Sequence, residues 1–195
     1  MYLVMTIHPS SSDIYTVGHS NAPIERIIGL LMQYQIQMLV DVRSIPYSQY
    51  TPQFNRETLS KALEESGIQY TFAGEYLGGR PKDPTCYRDG QLPTGKADYL
   101  QLVDYREVTK RPWFQKGIAR LMEIAHERTT AILCSEEDPY RCHRHHLIAR
   151  TLLAEGVTIW HIRANGDKVR ARSTAEPQAE VQEARQLVMF SEGTL

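Results

Sequence analysis

Short β-branched apolar runs recur along this chain, separated by segments whose apolar residues return every three to four positions. That alternation restricts the fold more than any other feature, because strands linked by amphipathic helices pair in parallel and need both sheet faces covered. Ile14-Tyr15-Thr16-Val17 reads as a first strand closed by Gly18. Ser20 or Asn21 can cap the next helix, with Pro23 in its first turn and Ile24, Ile27, Ile28 and Leu31 on one stripe. Met38-Leu39-Val40-Asp41-Val42 reads as a buried strand. Asn55 is placed to cap a helix carrying Leu59, Ala62 and Leu63, and Gly67 suits the position just past its end. Ile68 to Phe72 and Thr129 to Cys134 read as further strands, with helical stretches at 97–108 and 113–127 between them, divided by Pro112. A helix is expected from about 142 to Gly156, then a strand from Val157 to Ile162. Asn165-Gly166 signals a type I′ hairpin into Val169, and a last helix is expected over about 177–190. The pattern predicts a single α/β domain spanning 1–195, a three-layer α/β/α sandwich around a mostly parallel sheet, its core at about 14–172. Residues 74–95 show no period and are rich in glycine and proline, which marks a functional loop or lid.

Charge and cysteine usage narrow the class. Lys plus Arg number 22 against 23 Asp plus Glu, which removes the basic excess expected of a dedicated nucleic-acid binder. No run approaches the roughly 20 apolar residues that cross a bilayer, so no membrane partner is expected. The run Tyr2 to Ile7 has no preceding positive charge and makes a poor signal peptide. Cys86, Cys134 and Cys142 are too few for a secreted disulfide scaffold, which points to a cytoplasmic chain with reduced thiols.

Three strands end in polar residues: Gly18-His19-Ser20, Asp41-Val42-Arg43-Ser44, and Cys134-Ser135-Glu136. In open parallel α/β sheets ligands bind beyond the carboxyl ends of the strands, so the three clusters are expected to face one crevice. Leu39, Asp41 and Arg43 share a strand face, as do Ile132, Cys134 and Glu136. Asp41 and Arg43 can pair with each other; if they do not, Arg43 offers a fork for a carboxylate or phosphate. Arg144 lies on the stripe of Leu147, Ile148, Thr151 and Leu152, so it points inward at a helix start, where anions are favoured, while His146 faces solvent.

Several chemistries compete for Cys134 to Arg144. A phosphatase-like thiolate loop needs five residues between Cys and Arg; here Cys134 and Arg141 are separated by six, and Glu136, Glu137 and Asp138 would repel phosphate. Cys134, Cys142 and His143 are good zinc ligands, but the spacing is not that of a paired-cysteine structural site and a fourth ligand is missing. Cys134 and Cys142 could also form a redox pair, or be small inert core residues. The leading reading makes Glu136 the acid–base or nucleophilic carboxylate.

These motifs carry a family resemblance. Thr16-Val17-Gly18-His19-Ser20-Asn21, Val40-Asp41-Val42-Arg43-Ser44 with Pro46, Phe54-Asn55, Leu77-Gly78-Gly79, Cys134-Ser135-Glu136 with Pro139, and Cys142-His143-Arg144 together resemble the prokaryotic domain-of-unknown-function family 488. The likeness runs from Thr16 to about Ile162. One departure is Tyr47-Ser48-Gln49, where relatives carry an Arg at one or both ends. The resemblance implies a shared fold and site and leaves the reaction open.

The resulting expectation is an enzyme acting on an anionic small molecule, such as a nucleotide derivative, by hydrolysis or group transfer. Glu136, Cys142, His143 and Asp41 form the candidate catalytic set. Gly18, His19, Ser20, Arg43, Ser44, Asn55, Arg80, Cys134 and Arg144 are the candidate ligand contacts. No cofactor is required by the sequence, zinc being a minor alternative. A non-catalytic nucleotide or nucleic-acid binding module is the competing class, because Tyr47, Tyr50 and Phe54 interleave with Arg43 and Arg56. Thiol-redox or zinc binding is the third. Gly78-Gly79-Arg80 lacks the Lys-Ser/Thr of a phosphate loop and reads as a bend. Oligomeric state is not legible.

Overall fold

The computed structural model describes residues 13–95 and 97–173. Six strands form one sheet in the order β3-β2-β4-β1-β5-β6. They are β1 (Ile14–Gly18), β2 (Met38–Asp41), β3 (Gln69–Phe72), β4 (Thr130–Cys134), β5 (Ile159–Ile162) and β6 (Lys168–Arg170). All pairings are parallel except that of β5 with β6. The expected three-layer α/β architecture is therefore present, with the strand near 129 seated between those near 14 and 38.

Register decides which side chains share a face. Asp41 pairs with Leu133 and Val40 with Ile132, while Gly18 pairs with Cys134. Neighbours in a parallel ladder point the same way, so Leu39, Val17, Ala131 and Leu133 form one apolar face and Val40, Ile14 and Ile132 the other. The first face is covered by α1 (Ile24–Gln33) and α2 (Arg56–Glu65) through Ile27, Leu30, Leu31, Leu59 and Leu63. The second is covered by α6 (Pro112–Glu127) through Phe114, Ile118 and Leu121, and by Leu147, Ile148 and Leu152 further along. Alternating apolar positions thus bury both faces.

Several local expectations are corrected. Neither Ser20 nor Asn21 caps α1: Pro23 holds that position, and Ser20 sits in the left-handed region at φ 45°. Asn55 does precede α2, but its Oδ1 accepts from the Ser48 N–H. The stretch 97–108 breaks into α4 (Tyr99–Leu102) and α5 (Tyr105–Thr109), because Val103 leaves the helix to bridge Tyr87. The 74–95 segment is not structureless throughout: α3 (Gly74–Leu77) begins it and Leu77, Cys86 and Tyr87 are buried, while 88–95 is mostly exposed. A continuous helix from 142 is replaced by a π-helical stretch, Arg144–Ala149, running into α7 (Arg150–Ala154). The wider turn buries Arg144, His145, Leu147, Ile148 and Ala149 together. His146 is half-buried and donates from Nε2 to the Tyr140 carbonyl instead of facing water. The β5–β6 hairpin is not type I′: within it Gly166 alone has a positive φ, 100°, as in a type I turn with a glycine bulge. The expected helix at 177–190 and the run Tyr2 to Ile7 lie outside the described residues.

Gly18 is where the chain tolerates nothing larger. A Cβ there would lie 1.7 Å from the Glu136 carbonyl oxygen, because the 136–137 segment passes directly over the end of β1. Gly29, inside α1, meets nothing within 4 Å. Chemical denaturation should show Gly18→Ala destabilising the fold by more than about 3 kcal/mol, a core-clash magnitude. Gly29→Ala should stabilise it by up to about 1 kcal/mol through helix propensity.

Candidate functional site

The strand ends do gather the candidate residues, but onto the two faces of the sheet rather than into one crevice. With Asp41 opposite Leu133, its side chain points away from Cys134. On the α1–α2 face, Arg43 and Asp41 form a buried two-pronged pair, Nε to Oδ1 at 2.9 Å and Nη2 to Oδ2 at 2.6 Å. The Tyr70 hydroxyl donates to Asp41 Oδ2 at 2.9 Å, and Arg43 Nη2 also donates to the Phe54 carbonyl. Arg43 Nη1 lies 3.2 Å from His19 Nε2. Guanidinium nitrogens only donate, so Nε2 accepts and the proton sits on Nδ1, which donates to the Ser20 carbonyl at 2.7 Å. The ring stacks on Phe54 with centroids 4.1 Å apart. Burial, then the Arg43 charge, lowers the His19 pKa to about 4, so the ring is neutral. Arg43 is thus tied to its own fold and is not a free anion fork.

On the opposite face, Cys134 ends β4 and Cys142 follows the short 3-10 turn Pro139–Arg141. His143 Nδ1 lies 3.5 Å from Cys134 Sγ and 3.8 Å from Cys142 Sγ. Its Nε2 is 3.1 Å from the Val42 carbonyl, which can only accept, so Nε2 carries a proton and Nδ1 is the ring atom turned to both sulfurs. All three ligand atoms lie within 4.8 Å of one another and all three residues are buried. Burial opposes ionisation of Cys142. The Cys134 thiol, His143 and Arg144 nevertheless hold its pKa well below the ordinary thiol value. The hydrogen bond to Cys142, with burial, pushes Cys134 well above it, so one proton serves two sulfurs. The Arg144 backbone N–H also points at Cys142 Sγ, at 3.4 Å.

Arg144 is fully buried, and its guanidinium binds the Glu136 and Glu137 carbonyls and Thr16 Oγ1. It braces a loop and offers no fork to a ligand. Glu136 is exposed, and its carboxylate has no hydrogen-bond or ion-pair partner among the described residues. Its neighbour Glu137 is clamped by Arg163 at 2.9 Å. Ser44 Oγ accepts from the Arg80 N–H, and the Arg80 guanidinium lies 4.6 Å over the Tyr99 ring on the surface. Gly79 lies against the His143 ring, where a Cβ would meet Cγ at 2.5 Å. The double glycine is therefore a close approach to the cluster, not only a bend. Tyr47 donates to Glu57, and the Arg56 guanidinium lies 4.8 Å from the Phe72 ring centre, so the aromatic–basic pattern at 47–56 is largely paired internally.

Sequence reasoning missed a second buried row. His145 Nδ1 lies 3.1 Å from His161 Nε2, and His161 Nδ1 lies 2.7 Å from Thr16 Oγ1, which also meets Arg144. His161 stands at alternate spacing on β5, but nothing in a lone strand histidine announces its partner. Tyr70 and Tyr105 were also missed, for the same reason.

Fold and site together define a three-layer α/β protein with a buried two-cysteine, one-histidine cluster at the carboxyl ends of its parallel strands. Residues 23–151, more than half of the chain, match the family described as domain of unknown function DUF488, and the chain belongs to that family. Comparison with curated proteins and with solved structures finds no match. Among the described residues, no helix is long and apolar enough to cross a membrane.

Two measurements check these networks. Asp41→Asn leaves the Arg43 charge buried and uncompensated, and should cost about 3–5 kcal/mol in a denaturant titration. Burial lowers the pKa of His19 and His145 to about 4 and that of His161 to about 3, against 6.5 for a free ring. Between those values the unfolded chain binds more protons than the folded one. Stability should therefore be intact above pH 6.5 and fall as pH drops through the window, by on the order of 1.4 kcal/mol per pH unit for each ring. His161→Gln should flatten that slope.

Proposed function

We propose that this chain is a metal-dependent enzyme in which Cys134, Cys142 and His143 hold a zinc ion and leave a fourth coordination position for water or a substrate oxygen. The observation that carries the reading is the spacing of the three donors. Tetrahedral zinc, with Zn–S near 2.3 Å and Zn–N near 2.0 Å, sets sulfur about 3.5 Å from nitrogen. The two sulfur–nitrogen separations here are 3.5 and 3.8 Å. Supporting features are the His143 tautomer, locked by the Val42 carbonyl as outer-shell partners lock ligating histidines, and the N–H directed at Cys142.

Three protein ligands are the mark of a catalytic rather than a structural zinc site, and bound zinc supplies Lewis acidity and a water that ionises near neutral pH. The reaction class is hydrolysis or group transfer on a small molecule. Contact with an anionic part of that substrate falls to Arg80, one residue beyond the glycine packed on His143, since Arg43 and Arg144 are committed within the fold. This reading moves the working group from Glu136 to the cluster.

A second reading, favoured by the lowered pKa of Cys142, makes that thiolate a nucleophile without metal. One experiment separates the two. Protein produced with zinc in the medium should contain one zinc per chain by elemental analysis. Cys134→Ser, Cys142→Ser and His143→Gln should each weaken zinc binding by more than the roughly 10–100-fold typical of losing an outer-shell partner. Glu136→Gln should leave it unchanged. A metal-free wild type whose Cys142 alkylates rapidly at pH 7 would select the thiolate and end the metal reading.

A further inference from the structure

Two side-chain atoms among the described residues are buried with no hydrogen-bond partner, Tyr105 Oη and Arg111 Nε. Arg111 Nε lies 3.2 Å from the Asp83 carboxylate and so has an ionic partner. Tyr105 has none. A buried phenol normally finds an acceptor, because leaving the bond unmade forfeits its hydration without return. No described residue supplies one, which leaves room for an acceptor that the protein binds.

The position of the hydroxyl says what that is. Tyr105 opens α5, whose first turn is set by Asp104 accepting from the Arg106 and Glu107 N–H groups. The helix packs against the π-helical stretch that follows Cys142 and His143. The ring lies on the core cluster that contains Cys134 and Cys142. After burial, the groups acting most strongly on the hydroxyl are the thiols of Cys142 and then Cys134. Tyr105 also lines a cavity of about 790 Å³ that borders Arg88, Arg106, His146 and Arg150. Tyr105 therefore borders both that cavity and the core cluster holding the two cysteines, with its hydroxyl buried.

Building on the metal reading, we propose that the Tyr105 hydroxyl donates a hydrogen bond to the ligand in the fourth position of the Cys134–Cys142–His143 centre, a water, hydroxide or small anion. Tyr105 is then a positioning residue for that ligand. An oxygen or nitrogen there accepts the bond that the protein leaves unmade.

Cobalt(II)-loaded wild type and Tyr105→Phe test this, with azide as the probe anion and the visible absorption of cobalt as the readout. Both proteins should take one cobalt per chain, and azide should bind the variant about tenfold more weakly, the loss expected for one hydrogen bond to a charged acceptor. Metal-free Tyr105→Phe should melt no lower than metal-free wild type, because it loses an unsatisfied group. Equal azide affinity would overturn the proposal. So would loss of cobalt from the variant, which would make the phenol a ligand, or a lower metal-free melting temperature, which would reveal a protein partner. Failure of wild type to take up cobalt is a separate result, read before any comparison, and removes the metal centre itself.

Discussion

A buried guanidinium holds this site together. Arg144 has no solvent contact, and an unpaired charge in a protein interior costs several kcal/mol unless polar groups surround it. Its donors meet the Glu136 and Glu137 carbonyls and Thr16, so one side chain ties the loop after β4 to β1. The loop can lie that close to β1 because Gly18 has no side chain. Arg144 also follows Cys142 and His143 directly, so anchoring its side chain anchors theirs. Its charge in turn favours the Cys142 thiolate. Bracing and electrostatics come from the same residue, a guanidinium whose contacts here are all within the fold.

The sheet separates two polar networks that the chain spaces almost identically. The Asp41–Arg43–His19–Tyr70 network is saturated: both carboxylate oxygens accept, and the His19 ring uses both nitrogens. Such a network stiffens the ends of β1 and β2 and has little capacity left for a ligand. The Cys134–Cys142–His143 group is the reverse, with one imidazole nitrogen turned to two sulfurs that share a proton. Unsatisfied donor capacity in a buried place is what favours it as the chemical centre in the proposed reading. The two networks meet through backbone: His143 donates to the Val42 carbonyl, and the His19 N–H donates to the Cys134 carbonyl.

The motif residues find their reasons in these contacts. Glycines 18 and 79 permit close approach to Glu136 and to the His143 ring, and Gly78 lies against Ser44. Phe54 carries the His19 ring, and Asn55 holds the Ser48 N–H. Only the part of this that runs along one strand or helix was readable beforehand. Asp41 and Arg43 are two apart on one strand, so their pairing was visible as an option. The inward aim of Arg144 followed from its stripe. What it would meet there did not, because its acceptors are backbone carbonyls of a loop that periodicity does not describe.

By itself the sequence determined the layered α/β class, the parallel strands and the gathering of polar residues at their carboxyl ends. Those follow from side-chain period and strand order, which are properties of short stretches. Tertiary structure alone decided that Asp41 and Cys134 face opposite ways, since that depends on Asp41 standing beside Leu133 in a pairing across about ninety residues. It also decided that Glu136 is solvent-facing while Cys142 and His143 are enclosed. The π-helical turn after His143 and the 136–137 loop over β1 set those burials, and both depend on contacts between segments distant in the chain. Ligand chemistry is readable from residue types; which of those residues keeps an unsatisfied valence is decided only when the rest of the molecule has folded around it.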